Sequence, residues 1–172
     1  MNTNQIETAL TSDPLSRKQF CGVFPSDQLP EVMEFPCGFI ANTDPHDKSG
    51  THWVVFYFSS EHKGEFFDSY GRKPDGYHET FKDYLDIHSR EWSYNDKQLQ
   101  GLMTNVCGPY CIYYISQRAG RHSMSTIVNL FDSNKSSNDT KVLTFVKKHF
   151  YISPKVPSKN IDQYSKKFVI LY

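Results

Sequence analysis

His52-Trp53-Val54-Val55-Phe56-Tyr57-Phe58 is the stretch on which the fold turns. Every position after the histidine is β-branched or aromatic, which favours an extended strand over a helix. Apolar and polar residues do not alternate, so both faces of the strand need cover, as in the middle of a sheet. Residues 59–64 read as a hairpin-like connection and 65–69 as a second strand beside the first. Upstream, residues 37–42 are short and apolar and predict another strand, followed by a turn-rich loop over 42–50. Residues 91–95 predict an edge strand.

Helical spacing appears elsewhere. Phe81, Tyr84, Leu85 and His88 share one face of an amphipathic helix over 78–88. Pro109 fits the first turn of a helix that begins just after Cys107 and runs through Gln117, because proline's missing N–H has no partner there anyway. Residues 3–10, 123–131 and 139–150 predict three further helices, with 133–138 as a pliable link. Residues 21–36 carry Pro25, Pro30 and Pro36 and read as an ordered loop with short turns. Residues 153–159 read as a Pro/Lys/Ser linker, and 168–172 as a final strand or packed tail. The expected fold is α+β, a mixed sheet packed between helices. It forms one domain over 1–172, with its core at about 20–150 and a C-terminal tail over 151–172.

The chain has 172 residues, with 19 Lys plus Arg against 19 Asp plus Glu. A net charge of +0 argues against nucleic acid as a partner of the whole surface. The C-terminal lysines 147, 148, 155, 159, 166 and 167 read as a solvated face, with nucleic-acid contact the lesser alternative. Thirteen Phe and eleven Tyr supply core area despite modest aliphatic content. No run is long enough to span a bilayer and residues 1–12 are polar, so the expectation is a monomer in an intracellular, reducing compartment, with no membrane partner. In that setting Cys21, Cys37, Cys107 and Cys111 are expected to be free thiols. No C-x-x-C pair supports zinc, so neither metal nor cofactor is expected.

Cys107 carries the chemistry. It sits in Asn105-Val106-Cys107-Gly108-Pro109, at the entry to a helix whose free N–H groups and positive end favour a thiolate. Gly108 removes a side chain where a substrate carbonyl would approach. A thiolate nucleophile needs a base, and the base an orienting group. His52 begins the strongest strand, and Asp68 closes the next one; if the two strands pair, the carboxylate reaches the ring and fixes its tautomer. Gln100 lies seven residues before Cys107, where its amide and the Cys107 N–H could hold a developing oxyanion. Trp53 either shapes the cleft or packs in the core. The histidines at 46, 62, 78, 88, 122 and 149 lie in loops or on helices and are left without a role.

Three segments carry a family likeness: Thr51-His52-Trp53-Val54, Phe67-Asp68-Ser69-Tyr70-Gly71, and Gln100-Gly101 through Cys107-Gly108-Pro109-Tyr110-Cys111. In their order (His, acid, Gln, Cys) and in the Gln-to-Cys spacing the chain resembles the adenovirus maturation proteases, or adenains, and their relatives the ubiquitin-like-protein proteases. Gly22-Val23-Phe24 and Ile40-Ala41-Asn42-Thr43 extend the likeness toward the N-terminus, so that it runs from about 20 to about 150. It implies an adenain-like, papain-like cysteine peptidase fold with Cys107 as nucleophile, His52 as base and acid, and Asp68 as orienter. Gln100 and the Cys107 amide would form the oxyanion hole, and Trp53 and Gly108 would line the cleft. It further implies cleavage after small, Gly-type residues of capsid or core precursors of an adenovirus-related virus, virophage or Maverick/Polinton-type element, in the virion or in host cytoplasm or nucleus. Removal of a ubiquitin-like modifier is the alternative activity, and an inactive relative acting as a binding module is the alternative of another class. Asp68 stands where adenains carry Glu, one methylene shorter with the same charge. Residues 79–104 hold no cysteine, so an activating peptide joined by a disulfide there is not supported.

Overall fold

A computed structural model describes residues 1–150. The expected linker over 153–159 and terminal strand over 168–172 lie outside the described residues, as do the lysines at 155, 159, 166 and 167. The elements follow the order α1 (Thr3–Ser12), β1 (Phe20–Phe24), β2 (Cys37–Asn42), β3 (Trp53–Ser60), β4 (Lys63–Phe67), α2 (Glu79–His88), β5 (Glu91–Tyr94), α3 (Cys107–Ala119), α4 (Met124–Asn129) and α5 (Lys135–His149). The five strands form one sheet in sequence order. β2–β3 and β3–β4 pair antiparallel, whereas β1–β2 and β4–β5 pair parallel, so the sheet is mixed as expected.

β3 lies at the centre, and its strand periodicity divides two cores. Val55 and Tyr57 face the layer of α1, α3 and α5, where Ile6, Leu10, Tyr110, Ile112, Tyr114 and Val142 are buried. Val54, Phe56 and Phe58 face the opposite core with Phe39 and Phe66, beneath Phe81 and Leu85 of α2. Phe56 stacks on Phe39 with ring centroids 5.0 Å apart and meets Phe66 and Phe81 edge-on at 5.2 Å. The dense aromatic layer explains how a chain of modest aliphatic content fills both sides of a sheet.

Three expectations need correction. Residues 21–36 are not loop throughout, because β1 covers Phe20–Phe24 and pairs with β2 through a register shift at Gly22, whose φ is +132°. Neighbouring backbone supplies its hydrogen bonds, which the apolar pattern of five residues did not announce. The supposed link over 133–138 is largely the first turn of α5, begun by Asn134, whose side chain accepts from the Ser137 N–H at 3.1 Å. Cys21 and Cys37 are not free thiols: they form a disulfide between β1 and β2, with Cα atoms 6.1 Å apart. Parallel pairing of those strands sets the two residues side by side, and cysteine usage therefore no longer argues for a reducing compartment. Among the described residues, no helix is long and apolar enough to cross a membrane.

Candidate active site

The antiparallel register of β3 and β4 aligns Val55 with Phe67. His52 directly precedes β3 and Asp68 directly follows β4, so both emerge at the same end of the pair. There His52 Nε2 lies 2.6 Å from Asp68 Oδ1, both residues buried. The carboxylate is itself fully satisfied. Tyr70 N–H donates to Oδ1 (3.1 Å), while Arg72 N–H (2.9 Å) and the Tyr77 hydroxyl (2.8 Å) donate to Oδ2. A buried carboxylate with this many donors is held ionised. Burial works against the charge, but His52 and the two backbone donors outweigh it and hold the Asp68 pKa below its ordinary value.

Cys107 is the first residue of α3, whose N-terminus no side chain caps. It makes a hydrogen bond with His52, and since Nε2 is committed to Asp68, Nδ1 is the ring nitrogen left for the sulfur. Trp53 and Gly108 contribute backbone hydrogen bonds to the same sulfur. Burial would raise the thiol pKa, yet His52 and these N–H groups bring it below the ordinary value. For His52, burial disfavours the charged ring, but Asp68 on one side and Cys107 on the other push its pKa up to about 9. The opposite shifts favour passage of the thiol proton to the ring, the direction that a thiolate–imidazolium pair requires. Cys111 sits one turn along α3, fully enclosed, and burial drives its thiol pKa well above the usual range.

Two residues that motif reasoning passed over as contacts shape the imidazole. Tyr70 and Tyr77 both stack on the ring, with centroids 4.8 Å and 5.5 Å away. Arg72 lies over both phenol rings at 5.4 Å and 5.7 Å. The alignment of β3 with β4 could have suggested Tyr70, because extending it past the strand ends places residue 70 opposite residue 52. Tyr77 arrives through the short turn Pro74–Gly76 and left no comparable trace in the sequence.

Gln100 is brought into the same neighbourhood but has no exposed surface. Its Nε2 donates to the Thr104 carbonyl (2.6 Å) and to the Tyr70 hydroxyl (3.2 Å), and its Oε1 accepts from Ser69 Oγ (2.7 Å). Both amide hydrogens are thus committed inside the protein. Gly108 leaves no open space either: a Cβ there would meet Met1 Cβ and Sδ at 3.1 Å, because the start of the chain lies over the start of α3. Trp53 does two things at once, packing on the edge of the α1–α3 core and lining a cleft of about 480 Å³ with Met1, Phe24, Asn42 and Gly50. Among the described residues, no cluster of His, Cys, Asp and Glu is arranged to hold a metal ion.

The sequence matches no protein-family model and no curated protein. Solved structures do match. The pS273R protease of ASFV superposes with a TM-score of 0.56 at 19% identity, covering 89% of this chain and 68% of that one. The central domain of the uncharacterized Lpg1148 protein of Legionella pneumophila gives 0.52 at 13% identity, over 87% of this chain and 96% of that one. ChlaDub1 of Chlamydia trachomatis gives 0.46 at 12% identity, over 66% and 58%. The mixed sheet between helices, with α3 leading away from Cys107, is therefore a fold shared with the pS273R protease of ASFV, and it is the α+β class read from the strand His52–Phe58 outward.

Proposed function

We propose that the protein is a cysteine endopeptidase in which Cys107 is the nucleophile, His52 the base and acid, and Asp68 the orienting carboxylate. One observation carries the reading: a single imidazole bridges a buried carboxylate and a sulfur seated at a helix N-terminus. The thiolate attacks the scissile carbonyl carbon, forming a C–S bond and an oxyanion. Collapse of that intermediate breaks the C–N bond while the His52 imidazolium gives its proton to the leaving amine. Water then attacks the thioester, losing a proton to His52, and releases the acid and the thiolate. The Cys107 N–H is one donor to the oxyanion, and Gln100 belongs to the same hole.

The cleft beside Trp53 runs between the chain start and the 42–50 loop, and would receive substrate residues next to the scissile bond. Cleavage after small, Gly-type residues of capsid or core precursors is the substrate reading. The motif order and spacing support it, as does a fold shared with a protease of ASFV. The test is incubation of wild type and Cys107→Ala with the capsid precursor encoded by the same genome, and in parallel with small-modifier conjugates. Cleavage of the precursor after a glycine by wild type alone is the expected result. Cleavage of the conjugates alone would replace maturation by deconjugation, and cleavage of neither, with Cys107 inert to alkylation, would leave a binding module.

A further inference from the structure

Resting on the peptidase reading, we propose that Asp139, on α5, is a positioning residue of the oxyanion hole: it ties the turn that follows Gln100 to the helix that begins at Cys107. The two donors of that hole come from separate pieces of chain. Gln100 directly precedes a turn closed by the Thr104 N–H on the Gly101 carbonyl at 3.3 Å, whereas the Cys107 N–H belongs to the start of α3. Residues 101–106 between them form neither helix nor strand, and Leu102 and Met103 stand exposed there. Such a segment does not by itself hold two donors in fixed relation, yet a hole that is to stabilise charge without reorganising needs them fixed.

Asp139 supplies the tie. It is buried, and its carboxylate reaches both pieces. On the side of the turn, the Thr104 hydroxyl donates to Oδ2 at 2.9 Å, and the Gly101 N–H straddles the two oxygens at 3.3 Å and 3.4 Å. On the side of the helix, the Tyr110 hydroxyl donates to Oδ1 at 3.0 Å. Tyr110 lies in the first turn of α3, where its N–H donates to the Val106 carbonyl at 3.1 Å. The same hydroxyl lies 3.1 Å from the Leu99 carbonyl, the residue before Gln100, and the amide of Asn138 donates to that carbonyl at 3.2 Å. Thr104 carries the restraint onward, because its carbonyl accepts from Gln100 Nε2 at 2.6 Å. A path of hydrogen bonds therefore runs from α3 through Asp139 and Thr104 to the side chain of Gln100. Gly101 permits the approach: a Cβ there would already sit 3.1 Å from Asp139 Oδ2. Burying a carboxylate is costly, and for stability alone an apolar side chain often serves as well. Each of these donors belongs to one of the two pieces that the hole must hold together.

Two probes of Cys107 separate positioning from folding. Alkylation by iodoacetamide reports the thiolate and passes through no oxyanion; acylation by p-nitrophenyl acetate does. Asp139→Asn keeps the size of the side chain but presents a donor where its partners need an acceptor. It is expected to slow acylation roughly tenfold, less than the loss of a direct donor, while alkylation keeps its pH profile and stays within about twofold. Gln100→Ala should slow acylation roughly a hundredfold, and adding Asp139→Asn to it should cost no more than about twofold further, since the alignment that the carboxylate secures is then already gone. Unchanged acylation in Asp139→Asn, alkylation falling in step with acylation, or an Asp139→Asn loss that persists in full without the Gln100 amide would each overturn the proposal. Should Asp139→Asn melt early, the Thr104 hydroxyl decides: Thr104→Val should slow acylation selectively and Thr104→Ser should keep the wild-type rate, and equal rates for the two would overturn it. If wild-type Cys107 reacts with neither probe, the peptidase reading fails first and takes this one with it, whereas alkylation without acylation in wild type would sink the oxyanion clamp alone.

Discussion

Asp68 shows how much one carboxylate controls. Its charge stabilises the His52 imidazolium, which in turn stabilises the Cys107 thiolate. Replacing it by asparagine removes the negative charge, so burial prevails at His52 and its pKa falls from about 9. Asp68→Asn should therefore lower kcat by roughly a thousandfold to ten-thousandfold. The alkaline limb of the pH–rate profile should move to lower pH, and the acid limb of Cys107 alkylation to higher pH. A loss of rate with both limbs unmoved would mean that Asp68 serves folding alone. Cys111 provides the contrast on the same helix. Buried and with its thiol pKa pushed well up, it should resist iodoacetamide, and Cys111→Ala should retain cleavage while Cys107→Ala loses it. Mass spectrometry of the labelled peptide decides between the two sulfurs.

Among the elements, α5 and the turn after β4 carry the clearest consequences. The first turn of α5 rests on the Asn134 side chain, and removing an N-cap of this kind typically costs about 1 kcal/mol. Asn134→Ala should lose that much in urea unfolding, with an unchanged dependence on denaturant. At its other end, Lys147 and Lys148 occupy the last turn, where positive charge complements the helix dipole. Gly71 has φ +70°, and a Cβ there would sit 2.6 Å from the Lys97 carbonyl carbon and 2.8 Å from the Gln98 nitrogen. Both obstacles are backbone, which cannot swing aside. Gly71→Ala should lose about 1–3 kcal/mol and slow turnover as well, because the same turn carries Tyr70 and abuts the strand of chain leading to Gln100.

For the folded chain as a unit, the candidate site links stability to pH. A raised His52 pKa contributes stability that is complete below 6.5 and is lost as pH rises through about 9. A lowered Cys107 pKa acts oppositely: its contribution is complete above 9.0 and is lost as pH falls through the folded value. Where the folded thiol is ionised and the ring protonated, below about pH 9, the two trends offset, since the native pair and the unfolded pair then hold similar numbers of protons. Cys107→Ala removes one side of that balance and leaves His52 on Asp68. Its stability should fall more steeply than that of wild type from pH 6.5 to 9, read from urea midpoints across the range. Asp68 adds a further loss in acid, as pH drops below 3.8 and through its lowered native pKa. Parallel curves for the two proteins would argue against a thiolate–imidazolium pair in the resting state.

The four strands β2 to β5, the helix opened by Cys107 and the sheet's position between helices were legible in local patterns, because burial on both faces leaves an unbroken apolar run and proline marks a helix start. So was the meeting of His52 and Asp68 at one end of a strand pair, since a tight connection leaves adjacent strands little freedom of register. β1 and the disulfide between Cys21 and Cys37 were not legible, because a parallel neighbour comes from a distant pairing. Nor were the commitment of Gln100 to Thr104 and Tyr70, the stacking of Tyr77, or Met1 over Gly108. Each of these depends on which side chain arrives at a given point in space, and short-range periodicity records only which face of an element is buried, not what meets it there.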